Sequence, residues 1–183
     1  ELMEGSSDEL VYSKNALELF TVANEYCLFM ARADTYTKED IISYLQKICP
    51  LIYIKGCLIP EIDPSNPDAA ERYVTQEEWE SLFNTLRNKF RTQDEFWYVD
   101  AVGQDTDNPL KGSLAEHFTD IYQDLMDFVL LYQKDSVVAK ENALFSVRKS
   151  FIERLGYRLV NGLRILHYFI YGEEDQQETP PAV

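Results

Sequence analysis

An all-α fold follows from three observations. Five stretches repeat apolar residues at helical spacing. Three of them open on the same capping chemistry, Thr37 with Asp40, Thr75 with Glu78 and Ser113 with Glu116. Glycine is sparse, seven in 183 residues, which suits long helices and argues against many tight hairpins. The expected architecture is a single-domain bundle of about five main helices over residues 1–172. Its last two helices form an antiparallel hairpin, and an acidic tail follows over residues 173–183.

The first helix runs from about Asp8 or Ser13 to Ala33. Ala16, Leu19, Phe20, Ala23, Cys27 and Met30 share its apolar face, with Glu18, Glu25 and Arg32 opposite. Thr37 opens the second helix, which buries Ile41, Leu45, Ile48 and Ile52 and stops before Pro60. Pro50 lies inside it. Proline lacks a backbone donor and crowds the preceding turn, so a kink or restart is expected near Ile48. Residues 60–72 hold three prolines with Asn66 and Asp68 and read as a loop.

Thr75 caps the third helix, whose aromatic face is Trp79, Phe83, Leu86 and Phe90. The segment from Asp94 to Val102, with Phe96, Trp97 and Tyr98 in a row, is too short and mixed to assign. Gly103 to Gly112 reads as an acidic loop. Ser113 caps the fourth helix, which runs to about Tyr132 and buries Leu114, Phe118, Ile121, Leu125 and Phe128. Asp135 or Ser136 then caps a long fifth helix reaching Tyr171. The connection is only a few residues, so these two helices lie antiparallel. The tail from Gly172, rich in acidic residues and proline, reads as disordered.

Composition narrows the function classes. The formal net charge is −15, which disfavours a phosphate backbone or an anionic membrane surface as a direct partner. Solubility, docking to a basic protein and mimicry of nucleic acid remain compatible with it. Cys27, Cys49 and Cys57 have no metal-ligand spacing and no neighbouring histidine, so they read as buried free thiols of a reducing cytoplasm. Glu1 to Leu10 is acidic and lacks the apolar run of a secretory signal. No stretch has eighteen uninterrupted apolar residues.

Charge is unevenly distributed. Asp94 to Asp127 contains nine acidic residues and one lysine; Lys140 to Arg164 contains six basic residues and two acidic ones. Glu116, Asp120, Asp124 and Asp127 share one face of the fourth helix. That face is solvated, matched internally to the basic flank of the fifth helix, or a metal site. The metal reading is poorly supported. No Glu-x-x-His pair exists, and adjacent Glu116 and His117 diverge by ~100° around a helix. Asp105 and Asp107 begin like a calcium loop, but Pro109 and Leu110 follow where a ligand and a glycine are needed. No nucleophile elbow or phosphate loop is present, and His117 and His167 fit interface or capping roles. No cofactor is implied.

Arginines remain. The stripe of the fifth helix is Leu144, Phe151, Leu155, Leu159, Leu163 (or Gly162) and Leu166. Arg148 falls within it and Arg158 beside it. A buried guanidinium keeps its charge and needs a carboxylate. Asp120, Asp124, Glu18 and Glu25 are candidates. Two readings follow: internal ion pairs, or a cleft between helices that holds a small anion. Trp97 and Tyr98, with Phe96, form a lid on such a cleft or cap the end of the bundle; His167 lies near the helix end as a further binding candidate.

Three places resemble an uncharacterised family of bacterial all-helical domains. They are the proline-containing helix from Leu45 to Pro60, the aromatic stretch at Trp97 and Tyr98, and the final helix. There Leu155, Gly156, Arg158, Leu163, Arg164, Leu166 and His167 resemble a Trp-Gly-x-His…Ala-Leu-Arg-Ala-Leu-His pattern. Leu155 replaces the tryptophan and Arg158 the first histidine. The resemblance implies an all-helical fold and brings no activity. The favoured function is a non-enzymatic interaction or adaptor domain with an acidic surface and a basic protein partner. The alternative is a small-anion-binding protein or enzyme using a cleft lined by Arg148 and Arg158.

Overall fold

A computed structural model describes residues 6–100 and 107–172. Its helices are α1 (Ser7–Val11), α2 (Lys14–Met30), α3 (Lys38–Cys57), α4 (Gln76–Phe90), α5 (Leu114–Tyr132), α6 (Val137–Ser150) and α7 (Gly156–His167). A π turn, Phe151–Leu155, joins α6 to α7 without a break, and a second, Tyr168–Gly172, extends α7. The sequence therefore marks the long last helix correctly, but not its two widened turns.

The caps explain where helices begin. Ser13, Thr37, Thr75, Ser113 and Ser136 each accept a backbone N–H from the first turn that follows. At Thr75 the box is reciprocal, since Glu78 Oε2 accepts the Thr75 N–H at 3.0 Å. Ser13 also divides the expected first helix in two, leaving α1 as a separate short turn. That turn is tied down where the Tyr132 hydroxyl donates to the Val11 carbonyl.

Pro50 does not restart α3. The helix continues from Lys38 to Cys57, held by the buried stripe Ile41, Leu45, Ile48 and Ile52. Pro50 sits on a half-buried flank, so the backbone donor it lacks is lost near the surface rather than in the core.

A short hairpin occupies the stretch before α5. β1 (Glu95–Tyr98) pairs antiparallel with β2 (Leu110–Ser113), placing Phe96 opposite Gly112 and Trp97 opposite Lys111. Leu110 to Gly112 are thus strand rather than the end of an acidic loop; residues 103–106 of that loop lie outside the described residues, as does the tail 173–183. Strand alternation turns Phe96 inward and leaves Trp97 62% exposed. Asp94, buried, anchors the hairpin to α5: its carboxylate accepts the Ser113 hydroxyl and the Ala115 N–H, and its carbonyl accepts the Leu114 N–H.

α5 is the central element. It packs against α2, α4, α6 and α7, while α3 packs on α2 and α7. α5 and α6 form the antiparallel hairpin expected from the short link. The core gathers Leu19, Tyr26, Ile41, Leu45, Leu86, Phe90, Phe118, Ile121, Leu125 and Leu144. Tyr26 donates its hydroxyl to the Phe118 carbonyl at 2.7 Å, so the aromatic buries fully without an unmet donor. Gly162, rather than Leu163, completes the α7 stripe, because the Phe118 ring occupies the space beside it.

Gly56 and Gly156 are also fixed by close approach. A side chain on Gly56 would overlap the Phe151 ring. At Gly156 the N–H bonds the carbonyl of Phe151, five residues earlier, and a Cβ there would lie 2.9 Å from that oxygen.

Candidate functional site

The acidic face of α5 is largely matched from within. Asp120 accepts the Trp79 indole N–H at 2.9 Å and meets Arg158 at 3.0 Å. Asp124 accepts the Ser150 hydroxyl and a two-pronged grip from Arg154. Asp127 Oδ1 accepts the N–H groups of Tyr73 and Val74, at 2.8 and 2.9 Å. Glu116 is exposed at the start of α5. Among the sequence candidates, then, Asp120 and Arg158 are brought together, and the internal match of α5 to the last helix is the arrangement observed.

Arg148 sits elsewhere. It lies 3.5 Å from the exposed Glu61 and lines a cleft with Ile62, Phe145 and Ile152. Arg158 lines a different cleft, so the two do not face one cavity as expected. Trp97 and Tyr98 border neither cleft and do not form a lid; Lys111 lies over the Trp97 ring instead. His167 is exposed, with its ring 4.7 Å from that of Tyr171. His117 is buried against Phe96, and burial holds its imidazole below the usual range; Arg158 nearby adds to this. Its Nδ1 lies 2.9 Å from the Ser113 carbonyl, which fixes that nitrogen as the donor. Glu18, considered as an arginine partner, pairs with Lys55 and Lys14.

Two clefts have chemical character. The first, about 180 Å³, lies between α5, the π-turn end of the last helix and the loop before α4. Arg72, Arg154 and Arg158 face Asp120, Asp124 and Asp127 across it. The second, about 550 Å³, lies where the end of α2 meets α4 and α5. Met30, Leu82 and Tyr122 give it an apolar floor, and Asp34, Glu77 and Glu78 ring its mouth. Among the described residues no group of three or more His, Cys, Asp or Glu side chains is disposed to hold a metal ion. No described helix is long and apolar enough to cross a membrane.

Sequence reasoning missed Arg72, Arg154, Asp34 and Glu77. Arg154 had a readable signal. Asp120 and Asp124 are four apart, as are Arg154 and Arg158, and antiparallel helices pair such residues crosswise. Arg72 and Asp34 lie in connecting segments, where no periodicity marks them.

A family model described as a domain of unknown function, DUF5063, matches residues 10–172. The chain belongs to that family. The resemblance drawn from Leu45–Pro60, Trp97 and Tyr98 and the final helix agrees with this membership. The DUF5063 match spans both clefts, whose lining residues fall between Met30 and Arg158. Protein BF1032 from Bacteroides fragilis, a structural genomics crystal structure, is similar in fold and sequence. Its TM-score is 0.78 and its identity 29%, over 95% of this chain and 99% of that one. No curated protein matches the chain.

Proposed function

We propose that this DUF5063 domain is a non-enzymatic interaction module that docks a basic protein partner. The observation that carries the reading is the cleft between α2, α4 and α5. A lysine or arginine side chain suits it: the aliphatic stem lies along Met30 and Leu82, and the charged end meets Asp34, Glu77 and Glu78. The net charge of −15 steers such a partner toward the domain. On this reading docking lies away from the acidic face of α5, whose Asp120, Asp124 and Asp127 are engaged internally. A cytoplasmic setting fits the buried, unpaired Cys27 and Cys49.

The test is binding to lysine- and arginine-rich peptides across a salt series. Association should slow steeply as salt rises. Asp34→Lys combined with Glu77→Lys should weaken binding at least tenfold while the helical signal stays intact. Peptide binding that ignores both salt and these changes would refute the assignment, as would its absence at low salt. The small-anion alternative rests on the Arg158 cleft alone, because Arg148 lies outside it.

A further inference from the structure

The cleft walled by α5 and the last helix has features that an ion-pair network alone does not require. Its three aspartates are unequally engaged. Asp124 uses both oxygens, on Ser150 and Arg154. Asp120 uses both as well, on Trp79 and Arg158. Asp127 uses Oδ1 for two backbone N–H groups; among the described residues, no hydrogen bond reaches its Oδ2. The arginines are unequal too. Arg154 and Arg158 each hold a carboxylate, whereas Arg72 makes no ion pair within 4.0 Å among the described residues. Arg72 is nonetheless held at the mouth, because the next two residues, Tyr73 and Val74, are pinned through their N–H groups to Asp127.

Asp127 Oδ2 and the Arg72 guanidinium therefore line one cleft without a close contact, attracting each other only across it, beside the spare donors of Arg158. Three positive and three negative side chains balance there. A net anion would meet three carboxylates, and a net cation three guanidinium groups. A ligand carrying both signs bridges Arg72 and Asp127, giving each the close contact it lacks. The volume, about 180 Å³, equals roughly six waters at ~30 Å³ each. That is below the usual range for drug-sized ligands and suits a molecule of a few heavy atoms.

We propose that this cleft binds a small zwitterion of amino-acid size, its carboxylate on Arg72 and Arg158 and its ammonium on Asp127 Oδ2. Asp127 supports the polarity. Burial, its largest influence, raises its carboxyl above the usual range despite the Val74 and Tyr73 bonds; Asp124 raises it further, and Arg72, the smallest influence, lowers it without reversing the shift. A carboxylate whose charge is disfavoured by desolvation gains most from an added cation. The inference goes beyond the docking module and does not depend on it, since the two clefts share no residue.

The experiment is calorimetric titration of the full chain with a panel of free amino acids. Acetate, inorganic phosphate and methylammonium are run in parallel. The expected result is saturable binding of at least one amino acid, at least tenfold tighter than any of the single-charge probes. Arg72→Gln should then weaken it tenfold or more while moving the melting temperature of the free protein by only about a degree or two, because Arg72 attracts Asp127 across the cleft without a close ion pair. Asp127→Asn keeps an acceptor oxygen for the loop and should also weaken binding; if it fails to fold, Arg72→Gln decides alone. Phosphate or acetate binding as tightly as the amino acids would overturn the zwitterion assignment. Absence of any binding, or affinity unmoved by Arg72→Gln, would overturn the site.

Discussion

Arg154 grips Asp124 with two hydrogen bonds, 3.1 Å from Nε to Oδ2 and 2.8 Å from Nη2 to Oδ1. The arginine is 43% exposed but the aspartate only 9%. The pair thus spans the surface of the seam between α5 and the last helix. Arg154→Ala should lower unfolding free energy by about 1–2 kcal/mol, because it leaves a nearly buried carboxylate with only Ser150 as a partner. Arg154→Lys should recover only part, since a lysine cannot reproduce the planar fork. Urea unfolding of the three proteins measures this; a lysine variant as stable as the parent would deny that the two-pronged geometry matters.

Gly56 lies beneath the Phe151 ring, where α3 meets the π turn. Gly56→Ala should destabilise by about 1–3 kcal/mol through overpacking, despite the better helix propensity of alanine. Phe151→Leu introduced with it should restore part of the loss by vacating the ring's edge. Thermal melts of single and double variants would show the coupling; additive losses would mean the two sites act separately.

Glu141 gives stability an acid limb. It is buried in α6, and Oε2 accepts the Ser65 N–H at 3.0 Å and the Ser65 hydroxyl at 2.8 Å. Burial pushes its carboxyl up, but these bonds and one from Ser7 outweigh it, so the net shift is below the ordinary value of 4.5. A carboxyl depressed on folding stabilises above its unfolded value and loses that contribution as pH falls through its folded one. Glu141→Gln should therefore cost about 1–2 kcal/mol at neutral pH. The gap from the parent should close as pH falls below 4.5. A gap independent of pH from 7 to 3 would refute the linkage.

The thiols should separate by reactivity. Burial pushes Cys27 up to about 12, aided by Asp127, and pushes Cys49 up to about 12 as well. Cys57, expected from sequence to be buried, is exposed near the end of α3. An aromatic disulfide reagent should label one thiol quickly in the native protein and all three in denaturant. Fast native labelling of Cys27 or Cys49 would contradict the packing of α2 on α3.

Helices were legible where side chains repeat and where a hydroxyl residue precedes a run. Thr37, Thr75, Ser113 and Ser136 mark their starts by chemistry that acts within four residues, which a linear reading captures. The hairpin at Glu95–Tyr98 was not, because its pairing depends on Leu110–Ser113, more than ten residues away. The site was half legible. Asp120 with Arg158 follows from charge and an antiparallel link. Arg72 and Asp34 reach their clefts through tertiary placement of connecting segments, and nothing local records that.

The turn at Phe151–Leu155 bears on how the chain tolerates changes of length. A π turn is a helical turn that has taken in one additional residue, so an α-helical version lacking it would present the same downstream faces. A variant with one residue deleted there should keep Leu159 and Leu166 pointed inward. The same loss within the uniform stretch of α6 would swing everything beyond it by ~100°, carrying Arg154 and Arg158 off their aspartates. Of the two π turns, this is the one that precedes the inward-facing residues of α7, so here the last helix can shed a residue and keep its register.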